Sequence, residues 1–368
     1  MTDRPKFGDP AVAYTRGDLS FLNLDIRVPD FDKPVSPVEN FYRAARRDKP
    51  LWLPNAVTDF QTLMTQDVVY TKPGDVQLHA NFKDPRNKTE NYEFYEWFGG
   101  SWTWVVSAGG AMLTPGCTVC SDIAEWETQI TFPKLAGWDF ESRAADFMRD
   151  EYDPNRVMHF DIGRGVTERL VSVTGGYTDG MLALAAEPDA VRAFFERYTD
   201  FLIELFDRIH SLYNLNLLTL HDDWGTERDT FFSERMMEDL VFAPTKRFID
   251  YVHSKNCVFE LHSCGNVGRF LPHMIDMGAD LLQLQARAND IHALKAKYGD
   301  RIGFNVSPEI PAGAADGERE RAVREFVGHY GRHGGAYASV FSFDERENFE
   351  NIAELYFRSL EYYRQNGE

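Results

Sequence analysis

His262-Ser263-Cys264 is the tripeptide with the sharpest chemical content in this sequence. In an extended segment alternate residues face the same side. The spacing therefore aims an imidazole and a thiolate at one point, and both are good zinc ligands. The following Gly265-Asn266 permits a tight turn away from the strand. The same tripeptide also fits a hydrogen-bonded histidine beside an inert buried cysteine. His221-Asp222-Asp223 supplies a base and two carboxylates. By the same alternation only His221 and Asp223 share a side. Asp223 can orient a substrate, carry a proton or support a metal-bound histidine from outside; an aspartate at a strand-to-helix junction can equally be a cap. Cys117-Thr118-Val119-Cys120 is a C-x-x-C without a second such pair and without a surrounding βαβ unit. It reads as two ordinary loop cysteines.

The elements that must position these residues are legible from residue 157 onward. VMHFDIG at 157–163, LLTLHDD at 217–223, CVFELHS at 257–263, ADLLQLQ at 279–285, RIGFNVS at 301–307 and GAYASVFSF at 335–343 are short apolar runs of strand type. Helical patterns alternate with them at 187–213, 233–254, 267–277, 288–298, 317–332 and 346–365. Strands alternating with helices imply a parallel sheet with crossover connections. Apolar residues on both faces of the strands fit burial on both sides. No G-x-G-x-x-G or G-x-x-x-x-G-K-[ST] motif follows any strand, which disfavours a doubly wound nucleotide binder. The expected fold is an α/β chain forming a (β/α)8 TIM-type barrel with an N-terminal helical and loop extension.

In such a barrel the site lies at the carboxyl ends of the strands. Those ends present His221 and Asp223 with the adjacent Trp224, then His262 and Cys264, Gln283 and Gln285, Asn305, and Ser342. The expected catalytic residues are Asp223 and His221. The expected substrate-binding residues are Trp224, Gln283, Gln285, Asn305 and Ser342, and the expected metal ligands are His262 and Cys264. Residues 36–66 carry helical patterning (VENFYRAARR, then AVTDFQTLM), and 75–146 is aromatic and glycine-rich, with strand-like TWVVSA at 103–108. These read as a cap over 1–70 followed by early barrel strands, all within one domain spanning 1–368. Trp97, Trp102, Trp104, Trp126 and Trp138 crowd this region, as a packed core or as the wall of an apolar cavity.

The bulk numbers set limits. A net charge of −19, from 58 acidic and 39 basic residues, repels phosphate backbones and anionic membranes. No stretch approaches the ~20 apolar residues of a membrane span. The N-terminal MTDRPKFGDPAVAYTRGDL does not read as a signal peptide. Four cysteines are too few for a disulfide scaffold, so the cytoplasm is the expected compartment. Neither nucleic acid nor membrane is an expected partner; a homodimer is compatible with the sequence.

Residues 221–285, with D-D-W-G-T and the strand carrying H-x-C-G-N, resemble the C-terminal half of the uroporphyrinogen decarboxylase superfamily. The segment from Phe98 to Trp138, with GGAMLTPG, DIAEWE and FPKLAGWDFE, resembles its corrinoid-dependent methyltransferase branch. The resemblance covers roughly residues 90–365 and implies a (β/α)8 barrel. It further implies methyl transfer between a small donor or acceptor, methoxylated aromatics among the candidates, and a corrinoid on a partner protein. Several members hold zinc through H-x-C and a later cysteine in the last barrel strand. His262 and Cys264 match the first two, but Ser342 stands where the third is expected. Glu260, His221, Asp223 or Gln285 are the substitutes in reach, unless the site is metal-free and His221 or Asp223 handles the leaving group by proton transfer. The alternative chemistry of the superfamily, a decarboxylase or lyase acting on a small or tetrapyrrole carboxylate, goes with an arginine-rich R-Q-A-G-R motif that this sequence lacks. A non-catalytic binding barrel is the third reading, and the polar strand ends argue against it.

Overall fold

The apolar runs read from the sequence become strands because only pairing on both edges satisfies their buried backbone groups. The computed structural model describes residues 4–19, 26–72 and 74–367. A hairpin of β1 (Ala13–Arg16) and β2 (Arg27–Asp30) opens the chain. Strand β3 (Phe60–Met64) is followed by an antiparallel sheet of β4 (Tyr92–Tyr95), β5 (Ser101–Val105) and β6 (Gly110–Leu113). Then come β7 (Val157–Ile162), β8 (Leu217–His221), β9 (Val258–Ser263), β10 (Leu281–Leu284), β11 (Gly303–Asn305) and β12 (Ala336–Tyr337).

Among the described residues, β3 and β7 to β12 form one seven-stranded sheet in the spatial order β12-β11-β10-β9-β8-β7-β3, and every pair in it is parallel. The curled sheet is joined across its two edges by Ala56 N–H to the Ala338 carbonyl (2.7 Å) and Ala338 N–H to the Pro54 carbonyl (2.9 Å). This is a TIM-type barrel whose helices pack outside. The helix Pro188–Tyr213 illustrates why they form: proline opens it, Asn214 in the left-handed region closes it, and Val191, Phe194, Phe195, Phe201, Leu202 and Leu205 make one buried stripe. Each such side chain contributes roughly 1.5–3 kcal/mol when fully buried. No helix of the described residues is long and apolar enough to cross a membrane.

Three expectations are corrected. The helical reading of 36–66 holds only for Pro37–Ala45; AVTDFQTLM makes a single turn at Ala56–Asp59 and then becomes β3. Pairing with β7 overrides the local pattern there, and the buried Asp59 ends the turn by binding Lys33 (2.7 Å) and the Trp52 indole (3.0 Å). Residues 1–70 are thus not a cap alone, since they supply a barrel strand (1–3 and 20–25 lie outside the described residues). TWVVSA belongs to β5 and lies in the antiparallel sheet, not in the barrel. Finally, the run at 335–343 pairs only as far as Ala338. Asn55 takes over the next backbone groups, accepting from Val340 N–H (3.0 Å) and donating to its carbonyl (3.3 Å), and so leads the chain out of the sheet.

Candidate functional site

Register brings the chemistry together. His221 on β8 and Gln283 on β10 both lie level with His262 on β9, at the carboxyl ends of three adjacent strands. The His221 and His262 rings stack with centroids 4.1 Å apart. The Gln283 amide oxygen lies 2.6 Å from His262 Nδ1. An amide oxygen can only accept, so Nδ1 carries the proton and Nε2 presents its lone pair, 3.4 Å from Cys264 Sγ. Asp223 sits just past the end of β8, where Oδ1 accepts the Cys264 backbone N–H (2.7 Å) and lies 3.7 Å from His262 Nε2. Among the described residues, Asp223, His262 and Cys264 are the group that could hold a metal ion, with ligand atoms all within 4.8 Å of one another.

The turn that carries Cys264 is fixed by glycine. Gly265 has φ +82°, and a Cβ there would lie 2.1 Å from the Gly225 backbone. Gln285 accepts the Gly265 N–H (3.1 Å), so its amide shapes the loop rather than substituting as a ligand. Alternation also sorts the neighbours. Ser263, between the two ligands, faces the shell and accepts the Trp224 N–H (3.0 Å). Trp224 is completely buried, packed edge-on to Phe270. It belongs to the main hydrophobic core. Asp222 faces away from Asp223: it accepts from the Thr167 hydroxyl (2.6 Å) and Glu168 N–H (2.8 Å), capping the helix Val166–Thr174.

Electrostatics separates the two histidines. Burial, and next the neighbouring His221, push His262 well below its usual range and keep it neutral, the state a metal ligand needs. Burial also works against a charged His221, but the charge and hydrogen bond of Asp161 (2.9 Å to Nε2) outweigh it and hold His221 above the usual range. Burial, with Asp223 beside it, pushes the Cys264 thiol up to about 12.

Two expected residues lie elsewhere. Asn305 donates to the Tyr337 hydroxyl (2.7 Å), which donates to Glu260 (2.8 Å), two residues before His262 on β9. Glu260 is also engaged by Thr219 (2.9 Å) and is no ligand substitute. The Ser342 hydroxyl accepts the Asp344 N–H (3.2 Å) beside the start of the helix Glu345–Asn366. The residue at the sequence position of the expected third ligand is thus engaged at the start of that helix. Cys117 accepts from Ser101 N–H (3.0 Å), and Cys120 is buried. Trp102 and Trp104 are buried, and the partly buried tryptophans pack against the core: Trp97 on Trp138 and Phe201, and Trp126 on Phe194.

The sequence reading missed Asp161, Glu168 and Arg164. Asp161 carried a signal, a carboxylate near the end of the apolar run 157–163. Glu168 did not, since it reads as an ordinary helix residue. Burial, then the charge of Asp223, push Glu168 up to about 7, and the Tyr177 hydroxyl donates to it (2.5 Å).

The uroporphyrinogen decarboxylase family model matches residues 170–348, the stretch that carries β8 to β12 and every residue of the possible metal group. The resemblance read from the sequence falls largely on this stretch. A methyltransferase from Methanosarcina mazei is similar in structure, with TM-score 0.50 and 15% identity over 69% of this chain and 73% of that one. At that identity the likeness speaks for the barrel fold. An endo-beta-1,4-xylanase of glycoside hydrolase family 10 from Gloeophyllum trabeum aligns more loosely, with TM-score 0.35 and 10% identity over 63% of this chain and 81% of that one. No curated protein sequence matches.

Proposed function

We propose that the chain is a methyltransferase that moves a methyl group between a small methylated compound and a corrinoid carried on a partner protein. The observation that carries this reading is the convergence of Asp223, His262 and Cys264 at the carboxyl ends of the barrel strands. One thiolate, one imidazole and one carboxylate are a donor set suited to zinc. The hydrogen bond from His262 to Gln283 is the outer support such a ligand uses. Asp223 here takes the place that Ser342 leaves vacant in the pattern. Zinc, when bound, supplies a Lewis acid for the heteroatom that carries or receives the methyl group.

The chain's own residues do the rest. Gln283 fixes the tautomer of His262, and the Cys264 N–H fixes Asp223. Asp161 occupies Nε2 of His221, so Nδ1 is the nitrogen left to meet a leaving heteroatom. A positioned proton donor of this kind contributes typically 10²–10⁴-fold.

The test is a screen of methyl ethers and methylamines with cob(I)alamin, followed by the absorbance of methylcobalamin, beside metal analysis of chelator-free protein. Donor-dependent methylation by a zinc-containing chain is the expected result. Absence of methylation across the screen overturns the methyltransferase reading. Full activity in a metal-free preparation overturns the zinc.

A further inference from the structure

The antiparallel sheet β4-β5-β6 has two edges, and the protein treats them differently. An edge strand presents unpaired N–H and C=O groups that invite another strand, unless a neighbour covers them or charge, proline or a bulge blunts them. The β4 edge is covered: Gln77 N–H donates to the Tyr95 carbonyl (2.8 Å), and the Gln77 carbonyl accepts from Trp97 N–H (2.9 Å). The β6 edge is not. Thr114 N–H donates to the Ser101 carbonyl at the start of β5 (3.0 Å). With Thr103 opposite Met112 and Val105 opposite Gly110, alternation turns the Met112 and Gly110 backbone groups toward β5 as well. The N–H and C=O groups of Ala111 and Leu113 then point outward. Among the described residues, no hydrogen bond reaches them from beyond the sheet.

The edge is open and neutral. A Cβ at Gly109, Gly110 or Gly116 would meet no atom within 4 Å. Met112 is 56% exposed. No charged residue stands between Glu96 and Asp122, and Pro115 comes only after the strand. In a chain of net charge −19, a second copy is repelled by most of the surface but not by this stretch.

The edge also complements itself. With a two-fold axis through Met112, Ala111 of one copy lies opposite Leu113 of the other, and the reverse. Both outward residues then form hydrogen-bonded pairs, and the two Met112 side chains meet in the close, non-hydrogen-bonded pair between them. The inner faces join too, since Ala111 and Leu113 are the partly buried rim of the cluster that holds Trp102 and Trp104. An unrelated strand finds the same backbone groups but not this match of side chains.

We propose that two copies of this chain associate edge to edge through β6, forming one continuous six-stranded antiparallel sheet across a two-fold axis. The inference does not depend on the methyl-transfer reading. It also concerns a strand outside residues 170–348, the stretch that the family model matches.

So short a contact belongs to the weak, concentration-dependent class. The full chain is therefore followed by sedimentation velocity from low micromolar to several hundred micromolar, beside mild oxidation of two cysteine variants on non-reducing gels. A dimer that forms as concentration rises is expected. Ala111→Pro removes an outward N–H that has no partner within the chain, and is expected to weaken the dimer tenfold or more. Met112→Cys sets two thiols across the axis at a separation that suits a disulfide. It is expected to crosslink at least fivefold faster than Tyr95→Cys, which is of similar exposure (60%) but lies on the opposite edge. A monomer throughout the series, a dimer that Ala111→Pro leaves within twofold of the parent, or equal crosslinking of the two cysteine variants overturns the proposal. If circular dichroism shows that Ala111→Pro does not fold, Met112→Lys carries the test, because two like charges then meet on the axis. A tenfold loss of association supports the pairing, and an unchanged dissociation constant overturns it.

Discussion

Two rows of side chains in the barrel, two residues apart where both use β8 and β9, draw on nearly the same residue types and arrive at opposite states. The lower row is a continuous hydrogen-bond chain: Thr62 to His159 (3.1 Å), His159 to Thr219 (2.8 Å), Thr219 to Glu260 (2.9 Å), Tyr337 to Glu260 (2.8 Å) and Asn305 to Tyr337 (2.7 Å). Thr219 gives its proton to Glu260, so His159 Nε2 must donate to Thr219 and Nδ1 must accept from Thr62. Each donor named there has an acceptor within the protein, and Glu260 Oε2 is left buried without a partner. The upper row ends differently. His262 Nε2, Cys264 Sγ and Asp223 face one another with acceptor or ligand atoms, and their protein partners hold them from behind. A network whose donors are paired within the protein makes a barrel interior specific. Ligand atoms turned toward one another, supported from outside, make a site.

The largest effect expected from breaking the contrast is on the upper row. His262→Ala and Cys264→Ser should abolish stoichiometric zinc and the methyl transfer that depends on it, with melting temperature little changed. Metal content and methylcobalamin formation are the readouts. Retention of zinc in either variant removes that residue from the ligand set. Next in size is Gln283→Leu. It leaves all three ligands in place but frees the His262 ring and its tautomer, and a lost outer partner costs roughly 10–100-fold in metal affinity. A competition titration with a chromogenic chelator measures it; an unchanged affinity means that Gln283 does not support the ligand.

The lower row predicts a pH effect on stability instead. Burial pushes His159 down to about 4, while an unfolded histidine takes up its proton near 6.5. Between those values the unfolded chain binds more protons at this site than the folded one. Stability is therefore lost as pH falls from about 6.5 to about 4, with a slope of at most about 1.4 kcal/mol per pH unit from this residue. His159→Gln should lower stability at pH 7.5 but flatten its fall across that window. Urea denaturation at several pH values is the measurement, and an equal slope in both chains excludes His159 as the source.

How far these rows were legible follows from the distances along the chain that they span. His262-x-Cys264 and His221-x-Asp223 were legible because period-two alternation is a local property, and because strand ends can be located from apolar runs. Asp223 counted among the substitutes for the missing ligand, and the structure brings it to the pair. The lower row was not legible, since Thr62 and His159 belong to strands separated by the whole antiparallel insertion, and 60–64 had been read as helix. Arg164 was silent for a similar reason. Its neighbours, the Glu96 carboxylate and the Trp102 ring, are both distant from it in sequence. Trp224 was expected among the substrate-binding residues at the strand ends; the strand has already ended there, and its side chain is buried against Phe270.

The smallest expected effect is the most discriminating for the family pattern. Ser342→Cys restores the type of residue that the resemblance expects, a thiol from the last strand. If sequence position alone defined the ligand, zinc affinity would rise strongly, because a thiolate is a far better donor than a hydroxyl. The structure gives the opposite expectation. The strand ends at Tyr337, Asn55 captures the backbone at Val340, and the Ser342 backbone N–H is bound by Asn348 (3.0 Å) while its hydroxyl serves Asp344. A thiol at that position is held by the helix start and does not face Cys264. Zinc affinity should stay within about threefold of the parent, and stability should fall by no more than about 1 kcal/mol, the scale of one lost hydrogen bond. A tenfold or greater gain in zinc affinity would show that the segment 338–343 swings into the mouth, and that Asp223 shares its place with a residue of the last strand.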